Sequence, residues 1–526
     1  MDKRPTALQA VLKIANGCLF YKQLDEERLG FINNLKLTIH IVQRLVRLLL
    51  SPFLRIVIKH PLGWPLEQEL LCTLMFGILQ SRQVSAWRGF FGAVGELQAW
   101  VPVQVQRLAA GPCSAVWIRL PPEKEPQQPQ ARVNMVFFHG GAFVAGDALM
   151  YLGTHAYWLH KLAAAGISCS ILSVDYPLAP EHPFPAAVEA AADVIEWLAN
   201  ESGETAPYIL AGDSAGGNCV LTGLALLREQ QRLAALQQQP EALLLLSPAV
   251  NMSDTSAFAR GEPVSSHIDV EDGDAAAATG GENSVANTTQ QQQQQNSNSS
   301  SGDGLQFASF SELKQQIQQH HHQQQQHLSK QQQRQHQVGG PAGTLQLLLG
   351  LAGELKAVWS AHRSKAGAAA AAAAGWFDYL PGSSVADNIH HYLHDPALLC
   401  HPLVSPALLR DLSGLSQRGM MVVAGGAELM RPDIAAFAAK VKAAGVPVQY
   451  HEEPGECHCY ALLALPHLLQ KSHTVLDYIG QVALAAAAAA AGPGLAGPAA
   501  AAAAGPAAEP APAELQERES DTQSKL

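Results

Sequence analysis

Gly212-Asp213-Ser214-Ala215-Gly216-Gly217-Asn218 is the stretch on which the reading of this chain turns. The apolar run Tyr208-Ile209-Leu210-Ala211 precedes it, and a helix-forming stretch from Cys219 to Arg228 follows. Strand, glycine-bearing turn and helix in that order make it a Gly-x-Ser-x-Gly nucleophile elbow. Glycines at 212 and 216 permit the sharp turn, which pushes Ser214 Oγ out to where a base can reach it. The following helix aims its positive end at the same point, where an oxyanion would form.

A partner loop lies upstream. Val133-Asn134-Met135-Val136-Phe137-Phe138 reads as a buried strand ending in His139-Gly140-Gly141-Ala142-Phe143. Backbone N–H groups of Gly140 and Gly141 are expected to complete an oxyanion hole with the N–H of Ala215. Side chains there would keep the backbone from approaching a tetrahedral intermediate, and each donor is typically worth about 3 kcal/mol of barrier. His139 is read as a loop-bracing residue. A third stretch, Asp175 to Ala187, follows the strand Ile171-Leu172-Ser173-Val174 and carries Pro177, Pro180, Pro183 and Pro185. That proline density excludes helix or central strand and specifies an ordered, irregular connection bracing the neighbouring loops; Glu181 and His182 within it are not read as catalytic.

His139-Gly140-Gly141, Asp175 to Ala187 and Gly212 to Asn218 together resemble the hormone-sensitive-lipase-like branch of the α/β hydrolases. That branch holds bacterial esterases, arylacetamide deacetylases and fungal steryl deacetylases, and the likeness covers roughly 100–260 and 376–480. It implies an α/β fold with a mainly parallel central sheet flanked by helices and an N-terminal helical cap. It also implies the chain order nucleophile, acid, histidine. Downstream, Met420 to Ala424 is strand-like and runs into Gly425-Gly426-Ala427-Glu428-Leu429-Met430-Arg431-Pro432-Asp433. A helix pattern follows, and a second strand, Val448-Gln449-Tyr450-His451, leads to Gly455-Glu456-Cys457-His458-Cys459-Tyr460. By resemblance Glu428 matches the acid position and His458 the histidine. Many relatives have aspartate at the acid position, so Glu428 is a departure, and Asp433 is the alternative acid. Asp433 also suits the first turn of the next helix, where a carboxylate offsets exposed N–H groups. His451 is the alternative base, but it falls in a strand pattern.

A serine hydroxyl is a poor nucleophile until an imidazole takes its proton. His458 would do this for Ser214 and later protonate the leaving alkoxide, while Glu428 holds His458 in the useful tautomer. The expected chemistry is hydrolysis of carboxylic esters of lipophilic substrates through an acyl-enzyme, without a cofactor, and with activity falling below about pH 6–7. Aryl or steryl ester deacetylation is the substrate suggestion the family carries. Two other readings use the same scaffold: a ligand-binding receptor, since plant hormone receptors resembling this branch keep the serine and lose the histidine, and an acyltransferase.

Composition organises the remainder. The 526 residues hold 34 Lys and Arg against 45 Asp and Glu, a net charge of −11 in separate basic and acidic segments, with nothing suggesting nucleic-acid binding. The hydrolase domain is assigned to 101–260 and 376–482. Between the two parts, 261–375 is a low-complexity Gln/Ser/Ala-rich insertion, read as a disordered surface loop, with one apolar piece from Leu345 to Trp359 that is a candidate helix. Setting it aside removes more than half of the separation between Ser214 and Glu428, and loop-closure entropy grows slowly enough to tolerate it. Residues 1–100 hold no signal peptide. Their apolar stretch 31–59, with Lys36, His40, Arg44 and Arg47 at helical spacing, fits either a membrane-interface helix or a cap over the site. Residues 483–526 read as a disordered Ala/Pro-rich tail. It ends in Ser524-Lys525-Leu526, a peroxisomal address that an import receptor would read; endoplasmic-reticulum membrane or cytoplasm is the alternative location. The eight cysteines show no CxxC pairs and suit reduced thiols in an intracellular compartment. Cys457-His458-Cys459 is too tight to chelate a metal unaided, so no metal site is assigned.

Overall fold

The computed structural model describes residue 13 and residues 64–79, 84–98, 101–253, 310–315 and 378–491, except 313 and 381. Readings that concern 31–59, Leu345 to Trp359 and Ser524 to Leu526 lie outside the described residues.

The organising element is a sheet of eight strands: β1 (Gln104–Ala110), β2 (Cys113–Arg119), β3 (Ala131–Phe138), β4 (Ile167–Asp175), β5 (Tyr208–Asp213), β6 (Ala242–Leu246), β7 (Met420–Gly425) and β8 (Val448–Glu453). Their spatial order is β1-β2-β4-β3-β5-β6-β7-β8. β1, β2 and β4 pair antiparallel and every later pairing is parallel. The parallel strands β5, β6 and β7 are buried along their whole length. Continuous apolar runs such as Ala242-Leu243-Leu244-Leu245-Leu246 behave this way because helices cover both faces of a parallel sheet.

Nine helices of six residues or more accompany the strands among the described residues: α1 (Leu66–Leu79), α2 (Val84–Leu97), α3 (Leu152–Ala164), α4 (Ala186–Asn200), α5 (Ala215–Glu229), α6 (Gly382–Tyr392), α7 (Arg431–Ala443), α8 (Pro466–Lys471) and α9 (His473–Ala491). α4 packs on α5, α3 on β4, and α7 on β7 and β8. Gly223 lets α5 come close to α4, since a methyl there would press on Ala191 and Ala192.

Two stretches depart from the sequence reading. The tail expected to begin at 483 is helical through Ala491, because α9 continues across the alanine run. Alanine carries the lowest cost of helix formation, no proline intervenes before Pro493, and Ala483 and Ala486 are buried. α9 is apolar and long enough to cross a membrane, yet it packs on β3 and α3, with Val475, Ile479 and Val482 turned inward. Within the insertion, residues 310–315 lie against the hydrolase. Phe310 is buried and its N–H donates to the Glu229 carboxylate at 2.8 Å, while Lys314 pairs with Glu189 on α4. An aromatic side chain in a largely polar stretch has apolar area to bury, and α4 and α5 provide the surface.

Candidate active site

Ser214, Glu428 and His458 follow the carboxyl ends of the parallel strands β5, β7 and β8, where open α/β sheets place their ligand crevices. Ser214 follows β5 and carries φ +49°, the left-handed conformation of a strained elbow. Its N–H donates to Leu246 O at 3.0 Å, and its carbonyl accepts from Asn218 and Ala249. The Asn218 side chain donates to Ala249 O and Val404 O, both at 2.8 Å, pinning the first turn of α5 to the chain beyond β6. At Gly216 an added methyl would collide with the carbonyls of Phe138 and His139, so the helix start and the end of β3 fit only with glycine there.

Glu428 and His458 are brought together. His458 Nδ1 lies 2.7 Å from Glu428 Oε2, with both side chains buried, and Glu428 Oε1 accepts from Gly425 N at 3.2 Å. Asp433 stands elsewhere: it lies in the first turn of α7 and accepts from Asn251 Nδ2 at 2.9 Å. His451 stays on β8, its ring 3.3 Å from Glu453. Burial by itself pulls the His458 imidazole down. The hydrogen bond and charge of Glu428, followed by the charges of Asp378 and Asp213, outweigh it and hold the group above its ordinary value of 6.5.

The oxyanion loop requires one correction. Gly140 N donates to Asp213 Oδ1 at 2.8 Å, so this N–H is consumed inside the protein, not directed at a substrate. A methyl at Gly140 would strike the same carboxylate. The residues that reach the cavity are Gly141, Ala142 and Ala215. Ala142, with φ +54°, was not singled out in the sequence, because an alanine after two glycines carries no signal of a strained conformation. Asp213 also accepts from Tyr151 Oη at 2.8 Å, and burial raises its carboxyl. His139 is turned away: its Nδ1 lies 2.7 Å from Gly140 O and its ring stacks on Tyr176, whose hydroxyl donates to His139 O.

Ser214, His458, Gly141, Ala142 and Ala215 share a cavity of about 190 Å³. Its walls come mainly from Leu71, Met75 and Leu79 on α1, Trp87, Phe90 and Phe91 on α2, Val385 and Ile389 on α6, and Met430 and Leu463. α1 and α2 are thus part of the site. α2 is fastened to the loops below it by Arg88, which donates to Val144 O, Ala179 O and both oxygens of Glu181. Arg88's hydrogen bonds hold Glu181 below the usual carboxylate range, so the proline-rich stretch does brace the site. α1 meets the histidine loop: Trp64 Nε1 donates to Gly455 O, Gln68 to Glu456, and Cys72 Sγ lies 3.7 Å from Cys457 Sγ. Cys459 Sγ instead faces Asp213 Oδ2 at 3.4 Å.

The sequence matches the profile of a family described as alpha/beta hydrolase fold over 135–293 and 332–462, together more than half of the chain. Among curated proteins, it is 36% identical over 133 residues to an esterase of Acinetobacter venetianus, covering 25% of this chain and 41% of that one. It is 34% identical over 156 residues to the hormone-sensitive lipase of Bos taurus, covering 29% of this chain and 19% of that one. The chain spans less than half the length of these relatives. Among solved structures, an esterase from the bacterial hormone-sensitive lipase family aligns with 78% of this chain and 97% of its own, at 20% identity and a TM-score of 0.46. Elbow, strand order and family match agree: the chain belongs to the α/β hydrolases, with similarity to hormone-sensitive lipase among its relatives.

Proposed function

We propose that this chain hydrolyses carboxylic esters of lipophilic acids or alcohols through an acyl-enzyme on Ser214. The observation that carries the reading is the 2.7 Å bond between His458 and Glu428, both lining or adjoining an apolar cavity that Ser214 also lines. His458 accepts the Ser214 proton as Oγ attacks the ester carbonyl, and the N–H groups of Gly141, Ala142 and Ala215 stabilise the resulting oxyanion. The tetrahedral intermediate collapses, breaking the bond to the alkoxide, which takes the proton from His458. Water, deprotonated by the same histidine, then attacks the acyl carbonyl and frees Ser214. Glu428 fixes the tautomer and stabilises the imidazolium in both half-reactions.

Substrate selection follows from the walls. Aliphatic and aromatic side chains dominate them, and a charged acyl or alcohol group would lose its hydration there without a partner. Aryl and alicyclic alcohols suit the aromatic faces of Trp87, Phe90 and Phe91, which keeps aryl or steryl acetates in the proposed range. Purified protein is expected to hydrolyse short-chain p-nitrophenyl esters and phenyl acetate, and to turn over an ester with a free carboxylate on its acyl chain at least about tenfold less efficiently. Tight binding of such ligands without turnover would favour a receptor instead, and product formation on added alcohols would favour acyl transfer.

The raised His458 sets the pH response. The base works only when neutral, so activity is present at high pH and is lost as pH falls through the imidazole's midpoint. With that group held above 6.5, the acid limb of kcat/KM is expected to have its midpoint above 6.5. A pH profile with p-nitrophenyl acetate checks this; a midpoint well below 6.5 would contradict the assignment of His458 as base.

A further inference from the structure

Asp378 lies a few residues beyond the low-complexity insertion, and its carboxylate is buried. Its two oxygens take different partners: Oδ1 accepts from His458 N at 3.0 Å, and Oδ2 accepts from Leu429 N at 3.0 Å. Leu429 is the residue after Glu428. One side chain therefore ties the backbone that carries the histidine to the backbone that carries its acid, from a segment belonging to neither loop. The next residue, Tyr379, sets its ring edge-on to the His458 imidazole, with centroids 6.0 Å apart.

We propose that Asp378 is a positioning residue of this site, clamping the acid and histidine loops in register and placing a second negative charge behind His458. The proposal rests on the esterase reading for the purpose of the clamp. The groups that face His458 are Glu428 from the loop after β7, Asp213 at the end of β5, Asp378 itself and the Tyr379 ring. Three carboxylates converge on one imidazole, and among the described residues Glu428 is the one hydrogen-bonded to its ring, at Nδ1. Asp378 acts through the backbone and through space. Burial raises its own carboxyl to about 6, against the pull of His458 and of its two backbone bonds. At neutral pH it is therefore mostly ionised and keeps both acceptors available. As pH falls through about 6 it takes a proton, and one oxygen loses its accepting role.

The test uses the full chain and compares Asp378→Asn with Asp378→Glu. Asparagine retains the size but removes the charge, and its amide N–H₂ must face one of the two backbone N–H donors. Asp378→Asn is expected to lower kcat about ten- to hundredfold with little change in KM. It is also expected to lower the His458 midpoint by about one pH unit, read by NMR of imidazole-labelled protein and assigned with a His458→Ala control. Asp378→Glu retains the charge and misplaces it, so kcat falls while the midpoint stays near that of the unmodified protein. A residue that merely filled space would leave the midpoint unmoved in the asparagine variant, and that result overturns the proposal, as does an unchanged kcat. If Asp378→Asn does not fold, Asp378→Ser removes the same charge with a smaller side chain. Failure of both to fold also overturns it, since the role is then one of stability. The titration needs no substrate, so absence of ester turnover in the unmodified protein counts against the esterase reading and not against the clamp.

Discussion

Ser214→Ala is expected to lower kcat/KM for p-nitrophenyl esters by about 10⁴- to 10⁶-fold, with the thermal midpoint unchanged within a few degrees. The two halves of this expectation come from different features. Ser214 holds φ +49° at the start of α5, and alanine has the same backbone requirement, so the substitution leaves the elbow's strain as it is. The carbonyl and N–H of residue 214 keep their bonds to Leu246, Asn218 and Ala249. What disappears is one hydroxyl at the wall of the cavity, and among the described lining residues no other serine, threonine or cysteine stands there to take over acyl transfer. Some residual rate remains, because the oxyanion donors and the pocket still bind the transition state for attack by water. Steady-state kinetics beside a thermal melt separate the two effects. A drop of less than about a hundredfold would mean that Ser214 is not the nucleophile.

Glu428→Gln is expected to cost about 10⁴-fold in kcat, whereas Asp433→Asn should cost less than about tenfold. Glutamine at 428 can offer an N–H to His458 Nδ1. This favours the tautomer with the proton on Nε2, which is the wrong form for a base facing Ser214. It also removes the negative charge that stabilises the imidazolium. Asp433 has no bond to His458 and instead receives Asn251 Nδ2 in the first turn of α7. Its substitution therefore weakens the α7 start and the connection after β6, and its effect should show mainly in thermal stability. Equal losses of kcat in the two variants would contradict the assignment of the acid.

Much of the site was legible because its chemistry is local in sequence. The elbow is written in seven consecutive residues, and glycines at 212 and 216 are demanded by backbone approaches that the structure contains. The acid and histidine candidates could be picked out because each follows a short strand-like run, and the resemblance supplied their order. Gly140 was misjudged because its partner is Asp213, 73 positions away. No feature of His139-Gly140-Gly141 says which N–H faces inward. Asp378 was invisible for the same reason: its partners Leu429 and His458 are 51 and 80 positions distant, and Asp378 itself follows a low-complexity run that hides where the folded chain resumes. The end of α9 was obscured by composition, since an alanine run resembles the Ala/Pro/Gly tail beyond it until its packing on β3 is seen.

Ser214 is expected to be activated in the folded protein with no ester bound. The most direct measurement is reaction of the full chain with a fluorophosphonate, followed by mass mapping of the adduct and a parallel assay of p-nitrophenyl ester hydrolysis. The predicted result is a single adduct on the peptide carrying Ser214, formed in step with loss of hydrolysis and absent from Ser214→Ala. An unlabelled Ser214 in folded protein, or ester hydrolysis that survives its full modification, would contradict the account.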